Sequence, residues 1–386
     1  MIFPATATAT ATTADRDVPR PSATWRVLRS GRVHNNNFDF VRLLGALLVL
    51  IGHAFVLTAH FPVPRFVGIP IHTLGVAVFF CVSGYLVEGS WLRRPCAGGF
   101  LRNRCLRIFP GLIAVVLVTV FLLGPLVTNA GLEYFQNPQT YQYLLSITLD
   151  AQYFLPGVFG DAVHASRAVN GSLWSLGVEF ICYLVVLGAG LALRQRGYVI
   201  FAILAALCAA ATFAPEESPL DGLKPAASMV VFFAVGAILR AVKPSVRTLA
   251  SMTIAGLVVW LGIAIALPSG AILGAWVTLP GLLILLGRST TPGLRSAARF
   301  GDLSYGIYLW AFPVQQLVLH YFGHVPLALN LILVFVFTLP LAFISWHLIE
   351  RRALTFAVTT SRTHPVPAWH PRWHVEVDEG NRGKSG

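Results

Sequence analysis

Charge is scarce in this chain. Only 11% of its 386 residues are Asp, Glu, Lys or Arg, while 56% are apolar. An ordinary soluble domain has about 25% charged and about 45–50% apolar residues, so a soluble enzyme and a disordered chain are both excluded. Acid is the rarer sign, 16 residues against 28 basic ones, for a net charge of +12. In a soluble protein that excess would point to nucleic acid. Here it is spread between long apolar runs, so a membrane protein with no nucleic-acid partner is expected. Cysteine is sparse as well: five residues, none in a CxxC spacing, which argues against a disulfide framework and against a zinc site, and no metal is expected. The start of the chain, MIFPATATATATTADRDVPR, lacks both a basic leader and a strongly apolar stretch. Residues 1–36 therefore read as a disordered, basic cytoplasmic tail that is not cleaved.

What the sequence has in abundance is apolar runs near the length needed to cross a bilayer, about 20 residues. Ten are found, near 39–59, 69–91, 108–128, 172–193, 198–214, 226–241, 249–267, 271–287, 303–321 and 327–349. The fifth, sixth and eighth are short, and separating the seventh from the eighth requires a turn at Pro268-Ser269-Gly270. The expected fold is an all-α, polytopic transmembrane bundle over 37–352, followed by a cytoplasmic tail over 353–386.

Charge placement tests the count, because Lys and Arg collect in cytoplasmic segments. With the N-terminus inside, the cytoplasmic connections carry Arg93, Arg94, Arg102, Arg104 and Arg107, then Arg194 and Arg196, then Arg240, Lys243 and Arg247. Arg288, Arg295 and Arg299 follow, and Arg351 and Arg352 close the series. The external connections hold only Arg65, Arg167 and Lys224 among several acids. Both termini are thus expected inside. The one long external segment, 129–171, is rich in Tyr, Gln, Asn and Phe, and loops of that length are commonly functional. Its aromatic content predicts packing at the membrane face.

Ionisable groups within a span are costly and point to function. In FDFVRLLGALLVLIGHAF, Arg42 and His53 are eleven positions apart. At 3.6 residues per turn they share a helix face, about 16 Å apart along the axis. Asp39 lies one turn before Arg42 and is placed to pair with it. Gly45, Ala46 and Gly52 leave little bulk beside them, which would allow a cleft. The alternative is an Arg that snorkels to the interface and a His bonded to a neighbouring carbonyl. In NGSLWSLGVEFICYL, Glu179 lies inside the apolar run with Ser175 and Tyr183 one turn away on either side. His53 and Arg42 are its expected partners; a structural pair locking two helices is the alternative. In LRNRCLRIFPG, Arg104 and Arg107 form an i, i+3 pair suited to phosphate, although lipid headgroups would place Arg there too. Ser83 and Gly84 fall mid-span, where small residues either make room for a chain or let helices pack closely. Glu88 has no evident partner, Glu350-Arg351-Arg352 reads as an interfacial clasp, and His364, His370 and His374 sit in a Pro-broken setting unsuited to metal.

These segments together resemble the acyltransferase-3 family of bacterial integral-membrane O-acyltransferases. The resemblance runs from about 37 to 355. It rests on Asp39, Arg42 and His53 in D-F-V-R-x10-H, on FFCVSGYL, and on Arg104 and Arg107 followed by IFPG. NGSLWSLGVEF with Trp174, Ser175 and Glu179, LSYGIYLW with Tyr305, and SWHLIERRAL complete it. It implies a bacterial cytoplasmic-membrane enzyme using acetyl-CoA as co-substrate and acylating hydroxyls of surface polysaccharides, lipooligosaccharides or small molecules. Arg104 and Arg107 then become expected CoA-phosphate contacts. One departure stands out: a His often follows the Y-L-W stretch in relatives, where this chain has Ala311.

The expected mechanism makes His53 the general base or transient acyl carrier, with Glu179 orienting it. Arg42, Arg104 and Arg107 hold the phosphates, and the pantetheine arm threads along Gly45, Gly52 and Ser83-Gly84. A transporter or flippase without chemistry is the competing class; no inverted repeat favours it.

Overall fold

The computed structural model describes residues 36–161, 163–267 and 270–355. The expected N-terminal tail, nearly all of the C-terminal one with its three histidines, and Pro268-Ser269 lie outside these residues. Among the described residues there are ten helices of fifteen residues or more. They are α1 (Phe38–Leu57), α2 (Ile71–Arg93), α3 (Ala97–Val118), α4 (Trp174–Leu193) and α5 (Tyr198–Thr212). Then come α6 (Lys224–Val242), α7 (Val246–Ala266), α8 (Ala271–Arg288), α9 (Leu303–Phe322) and α10 (Leu327–Ser345). Only a two-stranded hairpin of Arg65–Phe66 and Ile69–Pro70, between α1 and α2, is extended.

Among the described residues, eight helical segments are long and apolar enough to cross a membrane by length and composition, so the chain is a multi-pass, all-α membrane protein. α5 has only fifteen residues, and α9 is not among the eight. The reason for α9 lies in its burial: Ser304, Gln315 and Gln316 point into the protein and dilute the apolar run. The third helix starts at Ala97, eleven residues before the expected position of 108, because LRNRCLR is already helical. It continues through a π turn at Thr119–Leu123 to Val127. Its arginines therefore stand on the helix rather than in a loop.

α2 is the hub. Its Ser83-Gly84 segment, with Ala77, Cys81 and Val82 around it, is buried, and α2 packs on α1, α4, α6 and α8. Here small residues admit backbone contact. A Cβ on Gly45 would lie 3.1 Å from the Gly75 carbonyl, and one on Gly52 only 2.7 Å from His72. Gly84 meets the Phe233 carbonyl of α6 in the same way. The expected cleft along Gly45, Gly52 and Gly84 is thus filled by neighbouring helix, because close van der Waals packing is what drives helix association in lipid. α7 lies at the other extreme, with only 17% of its span window buried.

α9 carries Pro313, which offers no N–H to the Leu309 carbonyl one turn back. The side-chain amide of Asn170 donates to that carbonyl instead, at 3.0 Å. The Asn of NGSLW is thereby explained: it repairs a proline gap while its own Oδ1 accepts from the Ser172 N–H at 3.1 Å. The segment 128–173 before it folds onto the bundle as expected from its aromatics. Tyr134 and Tyr143 are fully buried, and Tyr134 donates to the Val120 carbonyl at 2.8 Å.

Candidate functional site

α1 and α2 run antiparallel, and α9 lies beside them, so any residue facing this seam is held by three helices. Polar side chains collect at its two ends.

At the end where α1 and α3 begin, Asp302 immediately precedes α9. Its Oδ2 accepts from Arg107 at 2.6 Å and from Arg42 at 3.3 Å, and its Oδ1 accepts from Ser304 Oγ at 2.5 Å. Burial alone would push this carboxyl up, but the Arg107 and Arg42 guanidiniums outweigh it and hold Asp302 well below the ordinary carboxylate range. Arg104, one turn before Arg107, has no ion pair to a carboxylate within 4 Å among the described residues. It lies over the rings of Tyr183 at 5.7 Å and Phe100 at 5.8 Å, and its buried Nε has no hydrogen-bond partner. Glu179 accepts from Ser83 Oγ and, at 2.5 Å, from Tyr183 OH. Together Arg42, Ser83, Arg104, Arg107, Glu179 and Tyr305 line a cavity of about 380 Å³. Tyr305 lies under the Arg107 guanidinium at 5.5 Å and donates to the Ile108 carbonyl at 2.7 Å. Glu350 completes this end; it is buried, accepts from Ser345 Oγ at 2.8 Å and interacts electrostatically with Arg107. It is more than the interfacial clasp its position suggested.

At the opposite end, His53 stacks on His72 with ring centroids 5.5 Å apart and planes at 24°. The ring of Phe312 meets His53 edge-on at 5.2 Å. His72 opens α2, and its buried Nδ1 has no hydrogen-bond partner. Arg42 and His53 do face one seam, since their partners Asp302 and Phe312 flank and belong to the same helix, α9. The two ends are about 16 Å apart along α1. Between them Ala46, Leu50 and Ala311 pack as one apolar cluster, and Gln315 of α9 donates to the Leu50 carbonyl at 2.6 Å.

The structure thus brings Arg42, Ser83, Arg104, Arg107, Glu179 and Tyr305 together and places His53 apart from them. Glu179 is engaged with Ser83 and Tyr183, whereas the ring partner of His53 is another histidine; the expected contact between Glu179 and His53 is absent among the described residues. Glu179 lies about one and a half turns from the start of α4, on the arginine side of the seam with Ser83 and Tyr183. The ion pair of Arg42 goes to Asp302 across the fold, not to the Asp39 one turn back. Ser175 bonds Tyr308 OH at 2.5 Å and so braces α4 on α9, while Trp174 is half-buried at the helix start. Glu88 also has a partner after all, for it interacts with Arg240 of α6. Sequence reasoning passed over Asp302 and His72. The signal for Asp302 was its solitude: an acid just before LSYGIYLW, after an arginine-bearing connection. For His72 the signal was a His opening an apolar helix.

A multi-pass helical protein with guanidiniums around a cavity at one end of a seam and an imidazole pair at the other has the parts for handling an anionic carrier and a proton. A family model described as an acyltransferase domain matches residues 35–347. The chain belongs to that acyltransferase family and is an acyltransferase, as its motifs indicated. It is 28% identical to an O-acetyl transferase of Shigella phage Sf6 over 341 residues, covering 84% of this chain and 97% of the relative. It is also 32% identical to nodulation protein 10 of Rhizobium leguminosarum bv. viciae over 170 residues, which cover 40% of this chain and 43% of that one. No solved structure matches it.

Proposed function

We propose that the chain is an O-acetyltransferase of the bacterial inner membrane. It takes an acetyl group from acetyl-CoA at the cytoplasmic face and delivers it to a hydroxyl of a surface carbohydrate or glycolipid on the far side. The bundle then has ten spans with both termini inside, in keeping with the basic connections at the arginine end. The observation that carries this reading is the division of one seam into two chemistries: arginines gathered at one end and His53 stacked on His72 at the other. The O-acetyl transferase relative supports the acetyl group and the oxygen acceptor.

In this mechanism Arg104, which makes no ion pair within 4 Å among the described residues, takes a CoA phosphate through charge-assisted hydrogen bonds. Arg42 and Arg107, fixed by Asp302, supply the surrounding positive field. The pantetheine arm extends from this cavity past Phe79 and Ser83, which line it, toward the α1–α2–α9 seam, replacing the route along the glycines. His53 removes the proton of the acceptor hydroxyl as its oxygen attacks the thioester carbonyl. The C–S bond then breaks, and the CoA thiolate leaves and takes up the proton from the imidazolium. His72 faces the ring of His53 and shares the proton's path. Glu179 acts at the arginine end, where it holds Ser83 and Tyr183 in place.

The test is reconstitution in liposomes with acetyl-CoA outside or inside and a surface-glycan extract on the opposite side. Thiol release that needs both His53 and the extract is expected. A transporter would release none. Cysteines introduced at Asn103 and at Gln139, probed with a membrane-impermeant maleimide, should label from opposite faces; labelling from one face would overturn the topology.

A further inference from the structure

We infer that the segment between α3 and α4 carries a carbohydrate subsite, formed by Asn129, Asn137, Gln139, Phe154 and Arg167, which docks a sugar ring of the acceptor. The inference rests on the proposal that the acceptor is a carbohydrate and gives that acceptor a place to bind.

These five side chains line a second cavity, of about 460 Å³, at the end of the bundle opposite the arginines. Ligand sites run from about 300 to 1,000 Å³, so a sugar ring with part of its neighbour fits. The walls are preformed. The Asn129 N–H donates to the Gly157 carbonyl at 3.0 Å, Thr128 Oγ1 donates to the Pro156 carbonyl at 2.7 Å, and Asn137 Oδ1 accepts from the Gln139 N–H at 2.9 Å. Gly157 has φ +67°, and a Cβ on it would lie 2.7 Å from Thr128 Oγ1. Only glycine allows the two strips of chain to close so tightly.

The lining has the chemistry of a sugar site. Among the described residues the side chains of Asn129, Gln139 and Arg167 make no hydrogen bond, and Arg167 has no carboxylate partner. An amide offers two donors and an acceptor, which matches adjacent ring hydroxyls that both give and accept. Phe154 is 51% exposed, an apolar plate against which the C–H face of a pyranose can lie. A guanidinium beside them favours a ring bearing a carboxylate. An acyl chain finds no match in amides, and with a single cation the cavity is a poor polyphosphate site.

Position supports the assignment. Arg167 lies between Ser166 and Ala168, whose carbonyls both accept from the Gln316 side-chain amide of α9, at 2.8 and 2.6 Å. Ala168 packs with Leu57, Phe312 and Leu319, and Phe312 is the ring that meets His53 edge-on. One short strip therefore forms a wall of this cavity and packs on the cluster of Phe312, the ring that meets His53. A glycan held at Arg167 is held next to the reacting end of the seam.

The experiment is saturation-transfer NMR on the full chain in nanodiscs, using the methyl glycosides of glucose, galactose, rhamnose and glucuronic acid. Transfer to the ring protons of at least one is expected. It should fall about tenfold in Arg167→Ala and in Gln139→Ala, the loss expected for about 1.4 kcal/mol of hydrogen bonding, and persist in Arg104→Ala at the far cavity. Both substituted residues are exposed and unbonded, so the variants should fold; matching melting curves check this. No transfer to any of the four sugars, or full transfer in both variants, overturns the subsite. His53-dependent thiol release without sugar binding defeats the subsite alone. Sugar binding without thiol release upholds the subsite and defeats the acetyl-transfer reading.

Discussion

The two ends of the α1–α2–α9 seam solve opposite problems. At the arginine end most buried charges are matched: Asp302 bridges Arg107 and Arg42, and Glu179 is satisfied by Ser83 and Tyr183, while Arg104 keeps a buried Nε with no hydrogen-bond partner among the described residues. At the loop end the key groups are imidazoles: His53 and His72 stack on each other and Phe312 meets His53 edge-on, with no carboxylate ion pair among the described residues. Charge must be compensated to be buried in a membrane protein, so the first end is rigid and richly bonded. At the second end the buried Nδ1 of His72 has no hydrogen-bond partner among the described residues, which leaves a nitrogen of the imidazole pair open for the proposed proton exchange.

The sharpest way to break this comparison is His53→Ala. Loss of a positioned base lowers turnover by about 10²–10⁴-fold, while acetyl-CoA affinity, measured by calorimetry, should stay as in the wild type. A parallel loss of affinity would mean that the two ends are not separable. Next comes Arg107→Ala, whose principal effect is on stability. Removing one partner of a buried pair costs about 3–5 kcal/mol, to be read as a lowered midpoint of thermal unfolding. Arg107→Ala/Asp302→Asn should recover part of it, because the carboxylate left with Arg42 as its one guanidinium partner among the described residues is gone. The same pairing sets a sign for pH. Asp302 titrates lower in the folded protein than in the unfolded chain, so its contribution is complete at neutral pH. It fades as the pH falls below the usual carboxylate range, and Asp302→Asn should flatten that acid limb.

Arg104→Ala is the cleaner probe of donor binding, since it breaks no ion pair within 4 Å among the described residues and Glu179, with which Arg104 interacts electrostatically, keeps its bonds to Ser83 and Tyr183. One charge-assisted hydrogen bond is worth about 1.5–3 kcal/mol, so KM for acetyl-CoA should rise by about 10–100-fold with the melting temperature nearly unchanged. The smallest effect is expected from His72→Phe, which keeps a ring against His53 but removes the second imidazole. Turnover should fall by about tenfold, toward the low end of what proton handling contributes, with the pH profile of kcat altered. A wild-type profile would reduce His72 to packing.

Much of the architecture was legible along the chain. Ten apolar runs became ten helices because a helix satisfies its own backbone and needs only a composition to be recognised in lipid. The shared face of Arg42 and His53 followed from helical periodicity alone. Partner choice did not. Arg42 sat one turn from Asp39 yet pairs with Asp302, and Glu179 was expected beside His53 yet bonds Ser83 and Tyr183. The glycines were misjudged for the same reason: a missing side chain means either room or close contact, and only the neighbouring helix decides which.

The sequence by itself determined that this is a helical membrane protein with arginines near the start of α3 and a histidine within α1, properties that depend on composition and period, each local to a stretch of chain. That it is an acyltransferase was legible only through the resemblance of its motifs to a known family. Tertiary structure decided which charges meet, that His53 faces His72 rather than a carboxylate, and that the segment between α3 and α4 closes around a cavity lined by Asn129, Gln139 and Arg167. Such contacts join residues up to 260 positions apart. They depend on how helices dock, and no periodicity along the chain encodes that.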